Sequence, residues 1–295
     1  MQTLPDLSIR QLEYLVAVSG APTWAEAAER VGVTASALSQ GLAELERRLG
    51  VELFDREGRR RHLRPSAQPV LDHANHVLAL TGDLVHWAAQ LSGAATGRVR
   101  VGMIDAAAVL HYPDVLRSFR TRHADVDLRL TVAPSGQLTA MLVAGELDLA
   151  VCVQPATTPI GIEFDDLMPD ELFVYAPAGR PPGSPHTWGP WVLFPRDSHT
   201  RHLIVGELRR RGAALEVVAE SHQPEVLREM VHLGMGWTVL PGAQAEHGER
   251  PLTAGTSLVT RRLVLARRAG SVTDPAVDVL AGDLRTAAAA QVNST

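Results

Sequence analysis

The chain has 295 residues, a formal net charge of −5, 45% hydrophobic residues and 21% charged residues. That balance fits a globular protein with more than one core, and no apolar run approaches the ~18 residues of a membrane-spanning helix. One cysteine, Cys152, rules out an intrachain disulfide, and the N-terminus lacks a basic start followed by an apolar leader, so the cytoplasm is the expected compartment.

The charge is unevenly spread. Residues 1–66 hold nine Arg and nine acidic residues, while residues 47–64 alone hold seven Arg against three acidic residues. The deficit therefore lies after residue 66, and a local basic patch, rather than the total, is what attracts phosphate. Every basic residue is Arg. The bias extends through the acidic part, so it reflects composition more than function.

Residues 9–19 place Ile9, Leu12, Leu15 and Val16 at helical spacing. Pro22 and Thr23 end that helix and open a short alanine-rich one from Trp24 to Arg30, with Thr23 as N-cap. Gly32 suits a tight turn, Thr34 caps a third helix from Ala35 to Leu49, and Gly50 ends it in a left-handed position. Leu38, Leu42, Leu45 and Leu49 form its buried stripe. Ala35, Ser36, Ser39 and Gln40 share another face, where small and hydrogen-bonding side chains suit a DNA groove. Val51 to Phe54 reads as a short strand leading to a tip with Arg56, Arg59, Arg60, Arg61 and Arg64, placed for phosphate or minor-groove contact. Helix, turn, helix and basic wing together make a DNA-reading layout.

Residues 66–92 read as one long helix. Val70, Ala74, Val77, Thr81, Leu84, Ala88 and Leu91 form a seam with a 3.5-residue repeat that suits pairing with a second helix. A small-residue linker, SGAATG, follows. Beyond it, strands at RVRVGMI, DVDLRLTVA and LDLAVCV alternate with helices near 112–122 and 137–144. This predicts a largely parallel sheet flanked by helices. A second set begins after Met168 and Pro169, with strands ELFVYA, WVLF, LEVVAE and GWTVLP and helices near 201–211 and 223–233. A strand at 257–267 and a helical tail at 274–289 return the chain to the first set. Two such lobes form a clamp that takes ligands at strand ends beside helix N-termini.

RQLEYLVAV, AEAAERVGVTASALSQGLAELERRLGVELFDREGRR, WVLF and GMGWTVLP resemble the LysR-type transcriptional regulators, and the resemblance runs over nearly the full length. It implies an all-α winged helix-turn-helix over residues 1–66, a linker and dimerisation helix over 67–93, and an α/β two-lobed, periplasmic-binding-protein-like effector domain over 94–295. Lobe I would cover about 97–168 and 268–295, and lobe II about 169–267. The implied partners are promoter DNA, a small-molecule effector, further copies in a homodimer or homotetramer, and RNA polymerase, with no membrane, metal or cofactor and no enzymatic turnover. The alternative from the residues alone is a cytoplasmic solute-binding module with an N-terminal protein-interaction domain.

The expected DNA contacts are Thr34, Ala35, Ser36, Ser39, Gln40 and the wing arginines. Ala35 and Gln40 stand where the family commonly has Gln and Arg, which changes the operator sequence rather than the DNA binding. The expected effector contacts are Asp105, Ala106, Ser135, Gly136, Gln154, Ser198, His199, Thr200, Ser221 and His222. Hydroxyls at helix starts favour an anion, whereas Asp105 opposes one unless paired, with Arg201 as the candidate partner, and otherwise favours a cationic or neutral ligand. His73 and His76, and His199 and His202, sit three apart without a recognisable metal-ligand set. Cys152 is expected near a strand end facing the cleft, and a redox role would ordinarily need a second thiol.

Overall fold

The computed structural model describes residues 6–57, 60–91, 97–180, 183–247, 250–253 and 255–292, apart from the side chains of residues 56, 57, 60, 61 and 90. Arg59 and most of the SGAATG linker lie outside the described residues, as do the side chains of Arg56, Arg60 and Arg61.

The N-terminal helices are α1 (Ile9–Ser19), α2 (Trp24–Arg30) and α3 (Ala35–Leu49). Each begins at a side-chain cap: Ser8 with a reciprocal Gln11, then Thr23, then Thr34. Gly50 closes α3 at φ 69°, a left-handed turn that a Cβ would strain. Leu12, Leu15, Leu38, Leu42 and Leu45 are buried in one core. The hairpin β1 (Phe54–Glu57) and β2 (Arg60–Leu63) pairs antiparallel. Phe54 reaches back to Trp24, with ring centroids 5.1 Å apart.

A short 3-10 turn at Pro65–Ala67 leads into α4 (Gln68–Leu91). The expected seam divides. Leu71 and Ala74 are buried in the N-terminal core, and Val70 and Val77 pack against it. Leu84, Val85, Trp87 and Leu91 are exposed in the single chain. The first half of the repeat is therefore used within the subunit, and only the second half is open to another copy. Asp83, off the seam, turns toward the effector domain and pairs with Arg268 at 2.8 Å, both side chains buried.

That domain runs β3 (Arg98–Met103), a π-helical turn at Ala107–His111, α5 (Pro113–Arg122), β4 (Asp127–Val132), α6 (Ser135–Val143), β5 (Leu149–Val153) and β6 (Ile162–Tyr175). It continues with β7 (Trp191–Leu193), α7 (His199–Arg210), β8 (Val217–Glu220), α8 (Pro224–His232), β9 (Thr238–Pro241), α9 (Gly242–Ala245), β10 (Thr256–Arg268) and α10 (Pro275–Val292). One six-stranded sheet has the order β4-β3-β5-β10-β6-β9, and β7 pairs with β8 separately.

Within the six-stranded sheet the expected parallel pairing holds for β4-β3-β5, and the separate pair β7-β8 is parallel too. β10 is antiparallel to β5 and β6, and β6 is antiparallel to β9. The sequence pattern places the start of a second set after Pro169, yet β6 passes through Pro169 without a break. β6 and β10 form a long ribbon shared by two cores. Leu263, Val264, Leu265 and Ala266 belong to the first core, with Val99, Val101 and Val151. Leu172, Val174 and Leu258 belong to the second, with Trp191, Trp237 and Val239.

Between the two cores lies the register pair Arg261↔Asp170. The guanidinium Nε donates to Asp170 at 2.8 Å and Nη1 to the Thr200 hydroxyl at 3.1 Å, all three residues being buried. A buried charge survives only with such partners.

Candidate nucleic-acid interface and interlobe cleft

Capping fixes the start of α3, because the Thr34 hydroxyl accepts from the Ala37 amide at 3.2 Å. The leucine stripe then sets its rotation, and Thr34, Ala35, Ser36 and Gln40 face outward with Ser39 half-buried beside them. Among the described residues, neither Ser39 nor Gln40 is engaged by another side chain, so both keep their hydrogen-bonding groups for an external partner. Small side chains at the N-terminal end let the helix approach a surface closely.

The wing arginines differ in what they hold. Arg64 is tied to Glu52 and, at 2.7 Å, to Asp55, while its amide donates to the Leu53 carbonyl. It fixes the base of the hairpin and has two carboxylates to leave before it could meet phosphate. The backbone register pairs Arg56 with Arg61 and Glu57 with Arg60 across the hairpin.

In the effector domain, a cleft of about 260 Å³ opens between the lobes. Lobe I contributes Asp105 and Ala106 after β3, and Ser135 at the start of α6. Lobe II contributes Ser198 and Thr200 at the start of α7, His222, and Glu225 at the start of α8. Arg261 forms its floor. Phe194, Ile104, Val132 and Val153 supply apolar wall.

Six of the ten expected effector residues meet there: Asp105, Ala106, Ser135, Ser198, Thr200 and His222. The other four do not line the cleft. His199 instead joins the lobes, its Nδ1 lying 3.2 Å from the Val153 carbonyl, and Gly136 lies against it. Gln154 is exposed and donates its amide to the Arg262 carbonyl. The Ser221 hydroxyl accepts from the Gln223 amide at 3.1 Å and so shapes the loop.

The expected partner of Asp105 is corrected. Arg201 is held by the Phe194 carbonyl and by Glu220 at 3.2 Å. Gln244, on α9 of the opposite lobe, donates to Asp105 at 2.9 Å. Burial and the nearby Glu225 carboxylate push the Asp105 carboxyl above its ordinary range, and only the Gln244 hydrogen bond opposes them. Sequence reasoning missed Arg261, Gln244 and Glu225. The signal for Arg261 was an Arg-Arg pair inside an otherwise apolar strand; Gln244 and Glu225 carried none.

Cys152 does not face the cleft. It is fully buried on β5, and desolvation raises its thiol to about 12. Such a thiol is almost wholly protonated at neutral pH and is a poor nucleophile. His76 lies against the bare backbone of Gly161, where burial lowers its pKa.

Two family models match the chain: the bacterial regulatory helix-turn-helix protein of the lysR family over residues 9–68, and the LysR substrate binding domain over residues 92–289. The chain belongs to the LysR family. Like its relatives, this LysR-family protein is a DNA-binding transcriptional regulator with an effector-binding domain. It is 27% identical to the HTH-type transcriptional regulator IlvR of Caulobacter vibrioides, over 80% of this chain and 83% of that one. It is 29% identical to a probable hydrogen peroxide-inducible genes activator of Streptomyces viridosporus, over 95% of this chain and 94% of that one.

Among solved structures, a full-length OxyR point variant from Pseudomonas aeruginosa superposes with a TM-score of 0.61 at 22% identity, covering 95% of both chains. Full-length CbnR complexed with its target DNA gives 0.56 at 20% identity, covering 95% of this chain and 100% of that one. These structures establish the shared architecture. No helix among the described residues of this LysR-family chain is long and apolar enough to cross a membrane.

Proposed function

We propose that this LysR-family chain reads promoter DNA in the cytoplasm with the outward edge of α3 and is switched by a small molecule held between its lobes, without chemical turnover. Thr34, Ala35, Ser36, Ser39 and Gln40 meet the major groove, and Arg56, Arg59, Arg60 and Arg61 meet the backbone beside it. Residues 1–66 read, 67–93 link the copies, and 94–295 respond. Asp105, Ala106, Ser135, Ser198, Thr200 and His222 contact the effector, while Gly136, Gln154, His199 and Ser221 shape the cleft from behind it.

The observation that carries this reading is the outward, unengaged Ser39–Gln40 edge on a helix whose leucines are all turned inward. A good side-chain pair to a base edge is worth about 1–3 kcal/mol of discrimination. The double variant Ser39→Ala, Gln40→Ala should therefore lose operator binding by roughly ten- to a hundredfold while keeping its thermal unfolding midpoint. An unchanged operator footprint from a folded double variant would refute the assignment.

The cleft supports a switch more than a catalyst. Its hydroxyls are committed to structure: Ser135 Oγ accepts from the Val153 amide, Ser198 Oγ from the Arg201 amide, and Thr200 Oγ1 from Arg261. Among the described residues, none of the three makes a hydrogen bond to a histidine or carboxylate that would activate it as a nucleophile. The buried Cys152 thiol weighs against inheriting peroxide induction from the Streptomyces relative.

A further inference from the structure

Charge in the cleft is not balanced. Its one buried cation among the described residues, Arg261, is already matched by Asp170, with Nη2 and Oδ2 2.7 Å apart. Asp105 projects from the end of β3 with a single side-chain donor among the described residues, Gln244 Nε2. Glu225, on the facing start of α8, lines the same space and, among the described residues, makes no hydrogen bond or ion pair. Burial first and then the Glu225 carboxylate disfavour the charged form of Asp105. The other titratable group facing this space is His222, which lies 3.8 Å from Asp197.

Two carboxylates, the half-buried Asp105 and the exposed Glu225, face the same cleft, and its one buried cation is already matched by Asp170. Bringing an anion there adds a third like charge; bringing a cation relieves the repulsion already present. Around them the wall is apolar, and a volume of about 260 Å³ is at the small end for ligand sites.

We propose that the effector is a small cation, a primary ammonium or guanidinium compound, whose charged head lies between Asp105 and Glu225. The hydroxyls of Ser135, Ser198 and Thr200 each accept from a protein donor and keep their own proton. They can donate to an acceptor at the far end of the same molecule. The cleft is thus polarised, acid-lined at one end and donor-lined at the other. This inference rests on the reading of the cleft as the effector site, and it replaces the simple anion suggested by hydroxyls at helix starts.

The test is calorimetric titration of the full chain with 5-amino-1-pentanol and 4-guanidino-1-butanol, each a cation with a hydroxyl acceptor at its far end, against glutarate and valerate as anionic controls. At least one of the two cations binds, Asp105→Asn weakens that cation at least tenfold, and Glu225→Gln weakens it severalfold. Asp105→Asn keeps an oxygen for Gln244, and Glu225 is exposed, so both variants retain the fold. Cation binding that Asp105→Asn leaves unchanged, or no binding by either cation, overturns the proposal. Glutarate or valerate binding that Ser135→Ala abolishes also overturns it, yet keeps the cleft as the effector site. Operator footprints recorded without any of these compounds test the DNA-reading assignment separately.

Discussion

The two functional surfaces hold their polar groups in opposite ways. On the outward edge of α3, the half-buried Ser39 and the exposed Gln40 carry no internal obligations among the described residues. In the cleft, Ser135, Ser198, Thr200, Gln244 and Arg261 each already serve another residue before any ligand arrives. A groove-reading helix works by exchanging water for base edges, so it needs rotatable, unspent groups. A small-molecule site needs positions fixed in advance, because ordering side chains at binding would subtract from a small contact area. The rigidity of one surface and the looseness of the other follow from what each must meet.

Three substitutions probe this contrast, and the largest effect belongs to neither surface but to the buried ion pair that joins α4 to lobe I. Asp83→Ala removes the carboxylate from Arg268, a side chain 1% exposed whose other contacts include the Leu142 carbonyl at 2.8 Å. A guanidinium left buried without its counter-charge costs about 3 kcal/mol or more. Urea unfolding should show that loss in the unit formed by α4 and lobe I, with the α1–α3 core less affected.

A smaller change is expected on the reading side. Thr34→Ala deletes the cap of α3 and should cost about 1 kcal/mol. The same denaturation series reads it, and operator affinity should fall further than the stability loss alone explains, because Thr34 also lies on the reading edge.

The smallest effect is a gain. Burial and Glu225 raise the carboxyl pKa of folded Asp105 above its unfolded value, so the folded state holds that proton more tightly. Stability therefore falls as pH rises from the unfolded pKa through the folded one, and the full deficit remains above that window. Asp105→Asn removes this dependence. Thermal melts across the mildly acidic range should show a flatter slope and a slightly higher midpoint at neutral pH. A lower neutral midpoint would mean that Asp105 is stabilised by its surroundings, contrary to the charge balance in the cleft.

Much of the N-terminal domain was legible because its instructions are local. Caps at Thr23 and Thr34, the leucine stripe of α3 and the glycine at position 50 each act within one turn or one helix, and all recur in the structure. The ribbon of β6 was half-missed because Met168 and Pro169 read as a boundary, whereas tertiary pairing with β10 carries the strand through them. The seam of α4 was visible, but how it is shared was not: Ala74 and Leu84 look alike in the repeat, and only packing against α1 distinguishes them. The cleft was least legible. Asp105 meets Gln244 from 139 residues away in the chain, and no spacing rule links them. Arg201 looked the natural counter-charge for Asp105 until Glu220 and Phe194 were seen to claim it.

The attachment of α4 sets a direction for any signal. Asp83 grips Arg268, Ala79 nestles on Gly145 and His76 lies against Gly161, and all three anchor points belong to lobe I. The connecting helix and that lobe thus form one chassis. A ligand held in the cleft touches both this chassis and lobe II, so any hinging at the cleft is a movement of lobe II relative to the helix that carries the DNA-reading head.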